Sequence, residues 1–502
     1  MVRLDLVTDI GAIDISSLEL PNGGPRLPTD VWPDIISHLP FESLESVMFV
    51  CHYFRTLAQP FFFHTLAIKP FVLYSSRPRR RNEDDWNWIR QKLKFYSSPT
   101  IARHVQFCRI TPYRPSGINS ILQAFGTDRG RSNIDAIFKL FPQLTNLTEV
   151  ELDTVHLTED NMKQMSRIPR LNTIFVANCI VMAPRIRLAA KTVFLRLKRH
   201  RGSNSFQQDV LLPSLLQPDV VECLCMTGDP VAADFDNIAR LPPLQCLHTL
   251  CINYSTALLA SILPCLTQLP VLREIILRAH GTYSPALQSS FLLPPSAIPL
   301  LEKYGGPLEL AGYFGQGRPL KHLKLCGVGT GDDLLKHLSA LNSDADIEAL
   351  EFHVVDVNKS FLDGLFHARL GFPRIKALDI VFNSMDHKAS WLTASLWNLH
   401  NTTYHAQLLT HVLPTMRLPP DIEYLSIVQS DQSSDHAVPA DELVLKKAYL
   451  TQYFALRYVA FTGNGYSWRF DPSTGAPVKG SRTMEDWRRP TLSKCLSYSN
   501  GY

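Results

Sequence analysis

The sequence predicts an α/β protein: three short helices near the start, then an irregular solenoid of strand-and-helix repeats laid on a curved parallel sheet. Three observations carry this expectation. A short apolar pattern recurs through most of the chain. The composition suits many short elements and turns, with 45% hydrophobic residues, 19% charged residues and 35 prolines among 502. A Pro-punctuated apolar segment at residues 27–66 differs in pattern from the rest of the chain.

The first 26 residues are polar and close on Pro21-Asn22-Gly23-Gly24-Pro25, which reads as a flexible arm. Asp5, Asp9 and Asp14 interrupt every apolar run there, so no signal-peptide core is expected. No stretch reaches the roughly 18–20 apolar residues that cross a bilayer. The expectation is a soluble protein of the cytoplasm, the nucleus or both.

Residues 27–66 read as three very short helices. Thr29 or Asp30 is expected to cap the first, with Pro33 in its first turn and Ile35, Ile36 and Leu39 at helical spacing. Ser43 is expected to cap the second, which carries Leu44, Val47, Val50 and Cys51 as a stripe. Tyr53, Phe54 and Leu57 form a third turn before Pro60. So few side chains, each contributing roughly 1.5–3 kcal/mol on burial, make a marginal unit that invites a partner surface. In order, Leu27-Pro28, Asp30-Val31-Trp32, Ile35-Ile36, Leu39-Pro40, Ser43-Leu44, Val50-Cys51, Phe54-Arg55, Leu57-Ala58 and Pro60 resemble an F-box. The resemblance implies docking to a Skp-type adaptor and, through it, a cullin–RING ubiquitin ligase. Leu27, Pro28, Ile35, Leu39, Leu44 and Val50 are the adaptor contacts it suggests.

Residues 67–145 read as a linker helix and the start of the array; within them, Trp88 and Leu93 of DWNWIRQKLKFY are expected on a buried helix side, with the Trp residues anchoring box to array. The repeat is an apolar residue, two variable ones, an apolar residue, one variable, an apolar residue. It occurs at Leu147/Val150/Leu152, Leu171/Ile174/Val176, Thr192/Leu195/Leu197, Val221/Leu224/Met226, Leu247/Leu250/Ile252 and Leu272/Ile275/Leu277. It continues at Leu320/Leu323/Leu325, Ile347/Leu350/Phe352, Ile375/Leu378/Ile380, Ile422/Leu425/Ile427 and Leu456/Val459/Phe461. Most spacings match one leucine-rich repeat; the two long intervals, from Leu272 to Leu320 and from Ile375 to Ile422, fit an extra repeat or an insertion each. Asn178-Cys179 stands where such repeats place a turn residue. Helical segments are expected at 159–168, 254–264 and 332–341. The array is expected over 146–465, with a cap and tail at 466–502 that includes Trp468 and Phe470.

Strand alternation sends the second and third apolar residues of each copy inward. The residues between and after them then line an open concave face: Glu149, Glu151, Asp153, Phe194, Arg196, Lys198, Cys223, Cys225, Thr249, Glu274, Arg278, His322, Lys324, Glu351, His353, Asp379 and Tyr424 among them. Its order, acidic, basic, nearly apolar and then mixed, suits a protein target with patterned charge. A nucleic-acid backbone would need basic residues throughout, and the formal net charge is only +4.

The remaining signals are weak. The ten cysteines read as reduced thiols in apolar strands, and the Cys223/Cys225 pair lacks a second pair at metal-site spacing. His400, His405 and His411 do not share a helix face. The basic runs at 77–81 and 196–201 read as solvated loops. No phosphate loop, zinc-protease motif or nucleophile elbow occurs. No catalytic residue, metal or cofactor is assigned, and neither nucleic acid nor membrane is expected as a partner. The leading expectation is a non-enzymatic substrate receptor of an SCF-type ligase, holding an unidentified target on the array. A repeat scaffold without a ubiquitin role is the alternative, and an α/β hydrolase a third.

Overall fold

The computed structural model describes residues 28–69, 83–111, 128–181, 186–197, 215–228, 232–255, 258–279, 293–294, 296–339, 341, 346–356, 374–382, 421–429, 458–463, 466–471 and 476–477. Two compact units divide the chain, residues 1–196 with 200–217 and residues 197–199 with 218–502. The fold class read from the sequence is the one observed: short N-terminal helices, then an α/β solenoid of parallel strands.

The first unit opens with α1 (Trp32–Ser37), α2 (Phe41–Met48) and α3 (His52–Phe62). Pro33 falls in the first turn of α1, where a missing N–H costs little. The caps differ from expectation. Val31 and Pro40 occupy the N-cap positions of α1 and α2 without a side-chain hydrogen bond, so neither Thr29, Asp30 nor Ser43 caps. Cys51 caps α3 through its sulfur, which accepts from the Phe54 amide, and Pro60 lies inside that helix. Ile36, Leu44 and Ala58 form the small core, with Leu39, Val47, Phe54 and Leu57 packed against it.

The array then begins earlier than residue 145. Strands β1 (Thr65–Ile68) and β2 (Phe107–Ile110) pair in parallel, and β2 pairs with β3 (Glu149–Asp153). Phe63/Leu66/Ile68 and Val105/Cys108/Ile110 are thus two further copies of the pattern. Helices α4 (Glu83–Tyr96), α5 (Pro99–Ala102) and α6 (Asp128–Leu140) lie between these strands in the chain. The two-residue strands β4 (His156–Leu157) and β6 (Ile180–Val181) pair with each other. Helix α7 (Glu159–Ser166) is capped by Thr158, whose hydroxyl accepts from the Asn161 amide. Strands β5 (Thr173–Ala177) and β7 (Thr192–Leu197) extend the ladder beyond β3.

The register corrects one copy. Ile174 pairs with Val193 and Val176 with Leu195, so the third copy is Ala190/Val193/Leu195, not Thr192/Leu195/Leu197. Because a strand repeats every two residues, a shift by two preserves the pattern, and Ala190 is too small to mark its beginning.

In the second unit β8 (Cys223–Gly228), β9 (Thr249–Tyr254), β10 (Glu274–Ala279), β11 (Lys303–Pro307), β12 (His322–Thr330), β13 (Ala349–Asp356), β14 (Ala377–Phe382), β15 (Tyr424–Gln429) and β16 (Tyr458–Gly463) pair in parallel, each with the next. Helices α8 (Ala232–Ala239), α9 (Leu259–Leu266), α10 (Leu308–Gly315) and α11 (Gly331–Ser339) fall between strands. Strands β17 (Tyr466–Asp471) and β18 (Ala476–Pro477) close the series antiparallel. Trp468 and Phe470 lie on β17, in the segment read as a cap.

The two long sequence intervals resolve differently. Strand β11 is the extra repeat in the first. In the second, β14 pairs directly with β15, so no further strand of the ladder stands between them; residues 383–420 lie outside the described residues.

The inward positions make the core. Val150, Leu152, Ile174, Val193, Leu224, Ile275 and Leu277 are fully buried. In the second unit Leu224, Leu250 and Ile252 face Phe235 and Ile238 of α8 and Ile262 and Cys265 of α9. One corner recurs: Thr154, Asn178 and Gly228, each four residues after the second apolar position, all have positive φ (59°, 53° and 87°). Asn178 and Gly228 tolerate that conformation best. Asn178 adds a side-chain hydrogen bond, its Nδ2 donating to Asp153 Oδ1 at 2.9 Å.

Candidate functional site

Two surfaces stand out, one on the N-terminal helices and one on the sheet. The helices are too short to bury their own apolar side chains. Ile35 is 37% exposed, Phe41 58%, Phe49 61%, Val50 61% and Phe61 37%. Monomers rarely show apolar groups this close together without a use for them.

The expected adaptor contacts separate on this criterion. Pro28, Ile35 and Val50 are exposed. Leu44 is core and Leu39 packs against it, so these two shape the helices instead of presenting themselves. Leu27 lies outside the described residues. Phe41, Phe49 and Phe61 were not singled out by the sequence reading. A helical wheel with three turns or fewer does not separate the inner face from the outer one, and that separation was the only available signal.

On α4 the expectation for Trp88 is overturned. Leu93 is buried as foreseen, but Trp88 is 57% exposed. The buried stripe is Ile89, Leu93 and Tyr96. Burial pushes the Tyr96 hydroxyl up to about 12.

The second surface is the sheet face opposite the motif side chains. In the first unit it holds Glu149, Glu151 and Asp153 on β3 and Arg196 on β7. Arg109 Nε donates to Glu151 Oε2 at 2.6 Å. Even so, burial keeps the Glu151 carboxyl above its ordinary value, outweighing the opposing pull of Arg109. Phe175, beside Glu151 in the ladder, stacks on Phe194 of β7, with centroids 4.3 Å apart and planes within 4°. Both are buried, as is Cys108 on the opposite side of β2.

In the second unit the face changes character from strand to strand. Cys225, Cys251 and Ile276 line up across β8, β9 and β10, all buried. Thr249 Oγ1 donates to Glu274 Oε2 at 3.3 Å. Glu274, Lys303 and His322 then stand in one row, and Arg278 lies further along β10. Lys324 pairs with Glu351 across β12 and β13, and His353 Nε2 lies 4.0 Å from the same carboxylate oxygen. Burial lowers the affinity of both His322 and His353 for protons; Lys303 adds to the effect at His322, while at His353 Glu351 opposes it.

The open, solvated face expected from the sequence is therefore corrected in part. Arg196 is exposed, and Glu149, Thr249, Glu274, Arg278, His322 and Lys324 are half-buried. Glu351 and Tyr424, at 8% and 4% exposed, are buried. Lys198 lies outside the described residues, as do residues 77–81 and His400, His405 and His411. Among the described residues, no cluster of three His, Cys, Asp or Glu could hold a metal ion, and no helix is long and apolar enough to cross a membrane.

Residues 25–65 match the family model of the F-box domain. No curated protein matches the chain. Among solved structures, the chain is similar to one in the crystal structure of a TLR13–ssRNA13 complex, at 12% sequence identity and a TM-score of 0.27. That match covers 72% of this chain and 55% of the other, so the chain spans about half the length of the structure it matches.

Proposed function

We propose that the protein is the substrate-recognition subunit of an SCF-type cullin–RING ubiquitin ligase. The observation that carries this reading is an F-box domain at residues 25–65 whose apolar side chains remain exposed, followed by an array of strand repeats. F-box domains generally bind Skp-type adaptors, and Ile35, Phe41, Phe49, Val50 and Phe61 are the side chains that offer such a partner something to bury. The leucine-rich-repeat-like array takes the target protein on the sheet face that carries Glu274, Lys303, His322 and Lys324. The chain makes and breaks no bonds. It raises the effective concentration of the target beside the ligase, in the cytoplasm or the nucleus.

The test is co-purification of the full chain with a Skp-type adaptor and cullin. The wild-type chain is expected to retain both. The double variant Ile35→Asp, Val50→Asp is expected to lose at least tenfold in adaptor affinity while its unfolding midpoint stays put, since both side chains are exposed. A wild-type chain that never enriches the adaptor ends the ligase reading, and a repeat scaffold without a ubiquitin role takes its place.

A further inference from the structure

Helix α4 carries two apolar stripes. Ile89, Leu93 and Tyr96, spaced i, i+4 and i+7, are buried. One position back at each step stand Trp88, Lys92 and Phe95, and here the rings face out: Trp88 is 57% exposed and Phe95 43%. A helix with only one packed side would show polar residues there. Lys92 does not interrupt the stripe. Its ammonium donates to the Ala67 carbonyl at 2.8 Å and lies 5.0 Å from the Trp88 ring centroid. The charge is thus spent beneath the aromatic surface.

This stripe is joined to the F-box through ring contacts. Phe95 meets Phe63 at 5.5 Å, Phe63 meets Phe62 at 5.1 Å, and Phe62 stacks on Phe41 at 4.8 Å. Phe41 is itself among the exposed F-box side chains. From the proposed docking reading, on which this step rests, we infer that the adaptor's binding surface continues past the F-box onto α4, with Trp88 and Phe95 as its outer anchors. Area supports the extension. A stable interface buries roughly 800 Å² on each partner. Five partly exposed side chains on the three short helices and the turn between α2 and α3 supply only part of that, and two more aromatics add on the order of 200 Å². The occupant is the adaptor, because Phe95 is tied through the buried Phe63 and through Phe62 to Phe41, one of the side chains proposed to meet the adaptor. Buried aromatics at an interface are also the side chains most often found to dominate affinity.

The experiment uses the full chain and purified adaptor. Trp88→Ser and Phe95→Ser are each expected to weaken adaptor binding about five- to thirtyfold by calorimetry. Thermal unfolding of Trp88→Ser should match wild type. Phe95 touches Phe63, so a photo-crosslinking benzophenone residue placed at position 88 gives a second readout independent of folding. It should capture the adaptor. Unchanged affinity in Trp88→Ser, or capture of the cullin, a target or a second copy of the chain, overturns the extension while the F-box reading stands. If the wild-type chain binds no adaptor, the docking reading falls and takes the extension with it.

Discussion

The F-box helices and the repeat array solve the same problem in opposite ways. The helices bury three side chains, Ile36, Leu44 and Ala58, and leave five large apolar ones showing. In the array the motif positions are almost wholly hidden: Leu224, Leu247 and Ile275 are fully buried. The array is completed by its own neighbours, since each strand's side chains meet those of the next copy. The helices have no next copy. An apolar residue in the array therefore supports the fold, whereas one on the outside of the F-box supports an encounter.

The largest expected effect tests the array. Leu250→Ala removes a side chain packed against α8 and α9 and should cost about 3–5 kcal/mol in urea unfolding. Arg318→Met comes next. This residue is 5% exposed and donates to the carbonyls of Ala297 and Pro294 on one side and Tyr313 and Gln316 on the other. Stranding those acceptors should cost about 2–3 kcal/mol. Val50→Ala should change stability by no more than about 0.5 kcal/mol. A value near that of Leu250→Ala would erase the contrast between the two regions.

The smallest effect is a slope with pH. Burial lowers the folded-state proton affinity of His322 and His353. The unfolded chain then binds more protons below the ordinary imidazole value near 6.5, so stability is full above it and falls as the solution is acidified. The urea midpoint should decline between pH 7.5 and 5.5. His322→Asn, His353→Asn together should flatten that decline; an unchanged slope would show that other groups set it.

Much of the array was legible because its pattern is a direct imprint of burial. Ten of the eleven copies named from the sequence have the observed register. The missed copy on β11 shows what such a pattern cannot see. Its third position is Gly306, where an added Cβ would lie 2.6 Å from the Tyr304 hydroxyl. The Tyr304 side chain from the second position fills that space, and its hydroxyl donates to the Pro307 carbonyl at 2.8 Å. One large residue does the work of two, and the count of apolar letters fails. The copies on β1 and β2 were hidden differently: one begins at Phe63, in the aromatic run that closes α3, and the other uses Cys108 at its center. The corner was read only at Asn178; Gly228 also has a residue type suited to positive φ, whereas Thr154 adopts the same conformation without one.

The sheet face was the least legible part. Alternation told which residues share a side, but not how deeply each lies. Glu351 and Tyr424 sit on the expected side yet are buried. On α4, Trp88 faces outward despite being the most apolar-looking anchor in its segment. Depth depends on neighbouring strands, which a single copy of the motif does not encode.

The direct pairing of β14 with β15 has a wider consequence. Phe382 and Gln429 are partners in the ladder although residues 383–423 separate the two strands in the chain. A detour of that length costs little, because the entropy of closing a loop grows only with the logarithm of its size. Residues can be added to or removed from such a connection at little cost to the pairing of the strands on either side of it.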